Sequence, residues 1–169
     1  MAEGLFRTLA RDRGDYRALS AGTAAVDGMP PSTFATQAMA ERGIDISEQR
    51  SRTLTAELVQ QADYILGMTA GHVETVTALY PHAIEKTLRL LDFDDSLEPF
   101  EKDIPDPIGQ GIEVYRECRD RIEQGVRAFL RFLESNTDIT NLPKKNMKSM
   151  RLAIGADHAG YELKETLKS

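Results

Sequence analysis

The chain has 169 residues, of which 41% are hydrophobic and 28% charged, enough for one ordinary soluble domain with a core of useful size and a tail. A formal net charge of −6 argues against a nucleic-acid partner, which would want a basic face, although backbone amides with one arginine can still bind a phosphate locally. The single cysteine, Cys118, excludes an internal disulfide and a cysteine-based metal site and fits a cytoplasmic home; neither an apolar run of ~20 residues nor a secretory leader pattern suggests a membrane partner.

Met1, Leu5, Phe6 and Leu9 recur at helical spacing and predict a helix over 1–13, stopped by Gly14 and without a Ser, Thr, Asp or Asn cap ahead of it. A short strand is expected at 16–21, a helix at 32–42 ended by Gly43, and a brief helix at 55–61. The continuous apolar run 64–68 suits a buried parallel strand. Thr69 can cap a helix that runs to Tyr80 and stops at Pro81, and 87–91 is another strand. Strands alternating with helices favour an α/β fold with a parallel sheet covered on both faces.

An acidic loop over 92–106 carries seven carboxylates (Asp92, Asp94, Asp95, Glu98, Glu101, Asp103, Asp106) and ends in Ile104-Pro105-Asp106-Pro107. Tyr115, Cys118, Ile122, Val126, Phe129 and Leu133 then form one apolar stripe, the clearest periodicity in the chain, on a long amphipathic helix. The stretch 135–149 is polar, proline-punctuated and without either period, and reads as a linker. Beyond it, 151–155 resembles a strand, 157–160 a turn, and 161 onward a helix with Leu163 and Leu167 four apart.

Five segments, in order and at ordinary spacing, carry a family resemblance: Met1 to Phe6, Ser20-Ala21-Gly22-Thr23, Gly43 to Thr55 (GIDISEQRSRTLT), Ala62 to Thr69 (ADYILGMT) and Asp103 to Glu123 (DIPDPIGQGIEVYRECRDRIE). Together, over about residues 1–134, they resemble the low-molecular-weight protein tyrosine phosphatases, including their bacterial protein-arginine phosphatase branch. The resemblance implies a three-layer parallel sheet whose first, central strand leads into a Cys-x5-Arg phosphate loop just before the Met-Ala-Glu segment. That strand and loop are not among these residues, so the expectation is a phosphatase fold with its first central strand missing and no phosphatase activity in this chain. In the family a thiolate attacks phosphorus while amides and the arginine bind the equatorial oxygens.

By the same resemblance Asp106 is the general acid, which protonates the leaving oxygen or nitrogen and later activates water, with its flanking prolines limiting where the carboxyl can point. Spacing alone favours a loop aspartate that merely caps the next helix, and the match to the motif reverses that preference. Ser20, Arg50 and Arg52 are implied as braces behind the phosphate loop, or else are a strand-end serine and an exposed arginine pair. Ile108 and Gly109 stand where relatives carry aromatics or Phe-Gly, which leaves phosphotyrosine and phosphoarginine both open. Gln49 replaces a histidine common before the Arg-Ser-Arg segment. His72 is expected at the surface and Cys118 in the core.

The segment Met150 to Lys164 (MRLAIGADHAGYELK) resembles the start of ribose-5-phosphate isomerase B, which implies that Asp157 and His158 belong to a sugar-phosphate site. An ordinary strand-turn-helix is the plain alternative. The expected division is thus a phosphatase domain over 1–134, a linker over 135–149, and the opening of an isomerase domain over 150–169. A linker of about fifteen residues, extensible at ~3.3 Å per residue, could bring strand 151–155 into the sheet between 16–21 and 64–68; an unpaired tail is the alternative. The implied function is cysteine-dependent hydrolysis of phosphorylated protein side chains in the complete gene, without metal or cofactor and with a phosphorylated protein as partner. A non-catalytic binding or regulatory module, or a relative of arsenate reductase, are the other readings. The reductase needs further cysteines for its electron relay. Oligomeric state is left open.

Overall fold

The computed structural model describes residues 1–13, 16–139 and 150–155. In chain order its elements are α1 (Ala2–Leu9), β1 (Tyr16–Ala21), α2 (Thr33–Ala40), α3 (Ala56–Gln61), β2 (Tyr64–Gly67), α4 (Ala70–Leu79), β3 (Thr87–Arg89), α5 (Ile112–Ile139) and β4 (Met150–Gly155). Short 3₁₀ turns cover Pro81–Lys86, Leu90–Phe93 and Pro99–Glu101. Ser32, Thr55 and Thr69 each cap the helix that follows by accepting from a backbone amide three residues on, Thr69 as expected from the sequence.

The described strands form one parallel sheet in the order β1-β4-β2-β3. Between the two fates open to the strand at 151–155, the structure has it paired: Ala18 faces Leu152 and Ser20 faces Ile154 on one side, while Tyr64 faces Leu152 and Leu66 faces Ile154 on the other. The turn and helix expected over 157–169 lie outside the described residues.

Side chains of a strand alternate between its faces, and neighbours Ile65 and Leu66 accordingly enter different cores. Leu66 joins the larger one, made by α1, α2 and α5 with Leu5, Phe6, Met39, Ile104 and the α5 stripe. Every residue of that stripe, from Tyr115 to Leu133, is buried. Phe129 sits at its centre, with ring centroids 4.7 Å from Phe93, 5.3 Å from Tyr64 and 6.2 Å from Phe6. Ile65 joins Ala21, Leu54, Val59, Val76 and Ala83 under α3 and α4 on the opposite face.

Three boundaries differ from expectation. Helix α1 ends at Leu9 and the chain turns over 10–13. Strand β3 stops at Arg89, because the Asp92 carboxylate accepts from the Arg89 amide at 3.0 Å and winds Leu90–Phe93 into a 3₁₀ turn. Helix α5 continues to Ile139, into the stretch read as linker, since no glycine or proline interrupts residues 126–142.

Gly125 is where α5 crosses the Leu90–Phe93 turn. A Cβ there would lie 2.7 Å from Leu90 Cγ and 3.1 Å from Leu91 Cδ2, both side chains fully buried. Gly125→Ala therefore gains ~1 kcal/mol of helix propensity but overpacks a closed core, which costs ~1–3 kcal/mol. The expected result is a thermal midpoint lowered by a few degrees in circular dichroism. A raised midpoint would show that the turn yields freely.

Candidate active site

Parallel strands gather their carboxyl ends on one edge, where open α/β sheets place their ligand sites. Here β1 ends at Ala21, β2 at Gly67 and β3 at Arg89. From β1 the chain enters a loop zipped to 51–54: Gly22 donates to the Arg52 carbonyl at 3.0 Å, Leu54 to Gly22 at 2.9 Å, and Gly28 to Ser51 at 2.9 Å. The Asp27 carboxylate accepts from the Thr53 hydroxyl at 2.8 Å and the Thr53 amide at 2.5 Å, and these bonds hold its pKa below the ordinary carboxylate range. Arg52 is half-buried on this zipper, and its charge contributes to the same lowering. Arg50 is exposed and donates to the carbonyls of Ser47 at 2.7 Å and Gln49 at 2.8 Å, folding back on its own loop.

The Asp106 segment is tied to the same edge. Ile104 donates its amide to the Met68 carbonyl at 2.8 Å, just past β2, and buries its side chain in the main core. The Asp103 carboxylate accepts from the Ala70 amide at 2.9 Å, the first residue of α4. Between these pins and the acid lies Pro105; after it come Pro107 and a turn in which Gln110 donates to the Pro107 carbonyl at 3.0 Å. Gly109 supplies the positive φ of 75° that this turn requires. Asp106 is exposed, with Oδ1 accepting from the Ile108 amide at 3.0 Å. An exposed carboxyl on a backbone fixed at the sheet's carboxyl edge is placed to exchange a proton with a bound group. Half-buried Ile108 stands beside it.

Ser20 binds the first turn of α1. Its hydroxyl donates to Glu3 Oε2 at 2.6 Å and its amide to the same oxygen at 2.8 Å, while Arg7 pairs with Oε1. Glu3 is only 6% exposed, so two donors and a cation offset the cost of burying its charge. Sequence reasoning missed Glu3. Its one signal is a carboxylate sitting among the apolar residues of α1, where the amides of the first turn favour negative charge.

Cys118 lies in the core, and its pKa is pushed up to about 11 by burial, with Asp106 adding to the rise and the Met1 ammonium and Arg121 opposing it. A thiol in that state carries almost no thiolate at neutral pH and is a poor nucleophile. His72 is half-buried in the first turn of α4. Asp157 and His158 lie outside the described residues. Among the described residues no cluster of three or more His, Cys, Asp or Glu is arranged to hold a metal ion, and no helix is long and apolar enough to cross a membrane.

Comparison with known proteins gives the same architecture. Over 104 residues the chain is 38% identical to a protein-arginine-phosphatase of Geobacillus stearothermophilus, covering 62% of this chain and 68% of that protein. It is 36% identical over 129 residues to an arsenate reductase of Halalkalibacterium halodurans, covering 76% and 84%. The solved structure of the YwlE arginine phosphatase from Geobacillus stearothermophilus superposes with a TM-score of 0.75 at 30% identity, covering 83% of this chain and 88% of that one. The family model for low molecular weight phosphotyrosine protein phosphatase matches residues 1–140. The α/β sheet described above is the fold of these enzymes, and the chain belongs to the low molecular weight phosphotyrosine protein phosphatase family.

Proposed function

We propose that this chain is the acid-bearing body of a cytoplasmic, cysteine-dependent phosphatase of phosphorylated protein side chains, in which Asp106 is the general acid and Ser20, Arg50 and Arg52 support the phosphate-binding loop. The observation that carries the reading is the Asp106 segment, pinned through Ile104 to Met68 at the carboxyl edge of a parallel sheet. In the first step a thiolate bonds to phosphorus as the P–O or P–N bond breaks, and the Asp106 proton goes to the leaving atom. In the second, the Asp106 carboxylate takes a proton from the water that cleaves the S–P bond.

No Cys-x5-Arg occurs in the 169 residues: the one cysteine is Cys118, and Gln124 stands where the arginine would be. The phosphatase body carried by α5 to Ile139, a linker over 140–149 and an isomerase-like start over 150–169 with Asp157 and His158 in its sugar-phosphate site complete the reading, as a fusion of two enzymes in the whole gene. The strand that leads into a phosphate loop would compete with β4 for the place between β1 and β2. The similarity to an arsenate reductase keeps that activity as the second reading, tested by arsenate reduction with a thiol donor.

The purified 169-residue chain is expected to leave p-nitrophenyl phosphate unhydrolysed. Joining a strand and Cys-x5-Arg loop ahead of Met1 is expected to produce turnover. Hydrolysis by the 169 residues well above background that survives Cys118→Ser would reveal another nucleophile and defeat the proposal.

A further inference from the structure

The acidic loop ahead of Asp106 is gripped from two sides by arginines that the reaction does not otherwise use. From the end of β3, Arg89 donates through Nη1 to Asp103 Oδ1 at 3.2 Å and to the Pro99 carbonyl at 3.3 Å, while Nε and Nη2 meet Asp92 Oδ1 at 3.1 and 2.9 Å. From α5, Arg121 donates through Nη2 to the carbonyls of Glu101 and, at 3.3 Å, Asp103. Asp103 Oδ1 thus receives both Arg89 and the first amide of α4, and the next residue, Ile104, is bonded to Met68.

We propose that Arg89, Arg121 and Asp103 are positioning residues that fix where Asp106 delivers its proton, a role that rests on Asp106 being the general acid. Between the last pinned residue, Ile104, and Asp106 there is only Pro105, whose ring locks φ, so an orientation set at 103–104 is carried to the carboxyl. Freeing the 99–104 backbone would let the carboxyl drift, and proton transfer is sensitive to displacements of an ångström. Arg89 and Asp103 are 20% and 46% exposed, and a partly exposed pair of this kind adds little to stability. The clamp therefore acts on geometry more than on folding, which separates its signature from that of a structural salt bridge.

The test has two arms. In the 169-residue chain, Arg89→Met and Arg121→Met are each expected to speed exchange of the Ile104 amide at least tenfold, with the thermal midpoint almost unchanged and the α5 amide of Val126 unaffected. In the chain carrying a Cys-x5-Arg loop ahead of Met1, the same substitutions are expected to lower kcat roughly 10- to 100-fold on phenyl phosphate, a poor leaving group that needs the acid. The loss on p-nitrophenyl phosphate should be much smaller, KM should hold, and Arg89→Lys should recover part of the rate. Added to Asp106→Ala, Arg89→Met should cost nothing further. Unchanged Ile104 exchange, equal losses on both substrates, or losses that add to Asp106→Ala would overturn the clamp. If Asp106→Ala itself leaves the phenyl phosphate rate intact, the general-acid reading falls instead, and Ile104 exchange still decides whether the loop is held.

Discussion

Cutting the chain after residue 139 is expected to abolish cooperative unfolding, although every described helix and every described β-strand before β4 remains. The cut removes β4, which pairs with β1 at six positions and with β2 at four. Strand β1 has no other strand partner among the described residues beyond the single bridge from Gly22 to Thr53, whereas β2 keeps only three positions with β3. A backbone hydrogen bond contributes ~0.5–1.5 kcal/mol net, and a strand in the middle of a sheet also covers the apolar faces of helices on both sides. Losing all of this together exceeds the ~5–15 kcal/mol by which a single domain is stable. The comparison is a thermal melt of residues 1–139 against the full chain, with amide exchange at Leu152, Ala153 and Ile154 in the latter. Strong protection of those amides and a broad, non-cooperative melt for the shorter protein are expected; a sharp transition for 1–139 would show that the sheet closes without β4.

What the sequence made legible follows from how local each signal is. The stripe from Tyr115 to Leu133 announced α5 because one helix face meets one core, and Thr69 announced the start of α4 because capping is a contact three residues long. The end of β3 was not legible: the run 87–91 is apolar, but the Asp92 carboxylate outcompetes the ladder for the Arg89 amide. Strand order was legible only as two alternatives, because β4 is separated from β2 by more than eighty residues and nothing local specifies its neighbours. The site divides the same way. Asp106 was singled out by the resemblance carried by residues 103–123, while Glu3 beneath Ser20 and the pair of arginines on the loop join residues distant in sequence, and they become visible only when the sheet brings α1, β3 and α5 together.

Asp106→Asn is expected to slow the loop-bearing protein by roughly 10²- to 10⁴-fold, the usual share of a general acid, or ~2.7–5.4 kcal/mol of barrier. Asparagine is the sharper substitution here. Its carbonyl oxygen can still accept from the Ile108 amide, as Asp106 Oδ1 does at 3.0 Å, so the turn through Pro107 and Gly109 keeps its shape while the group loses its transferable proton. The loss should also depend on the atom that leaves. A p-nitrophenolate departs without much help, a phenolate needs a proton, and a guanidine nitrogen leaving from phosphorus needs one most, because the anion it would otherwise form is far more basic. The expected order of rate loss is therefore p-nitrophenyl phosphate, then a phosphotyrosine peptide, then a phosphoarginine peptide. Measuring kcat/KM on the three substrates for the loop-bearing protein with and without the Asp106→Asn substitution checks it directly. Equal losses on all three would mean that residue 106 acts on the shape of the pocket and that the proton comes from another group.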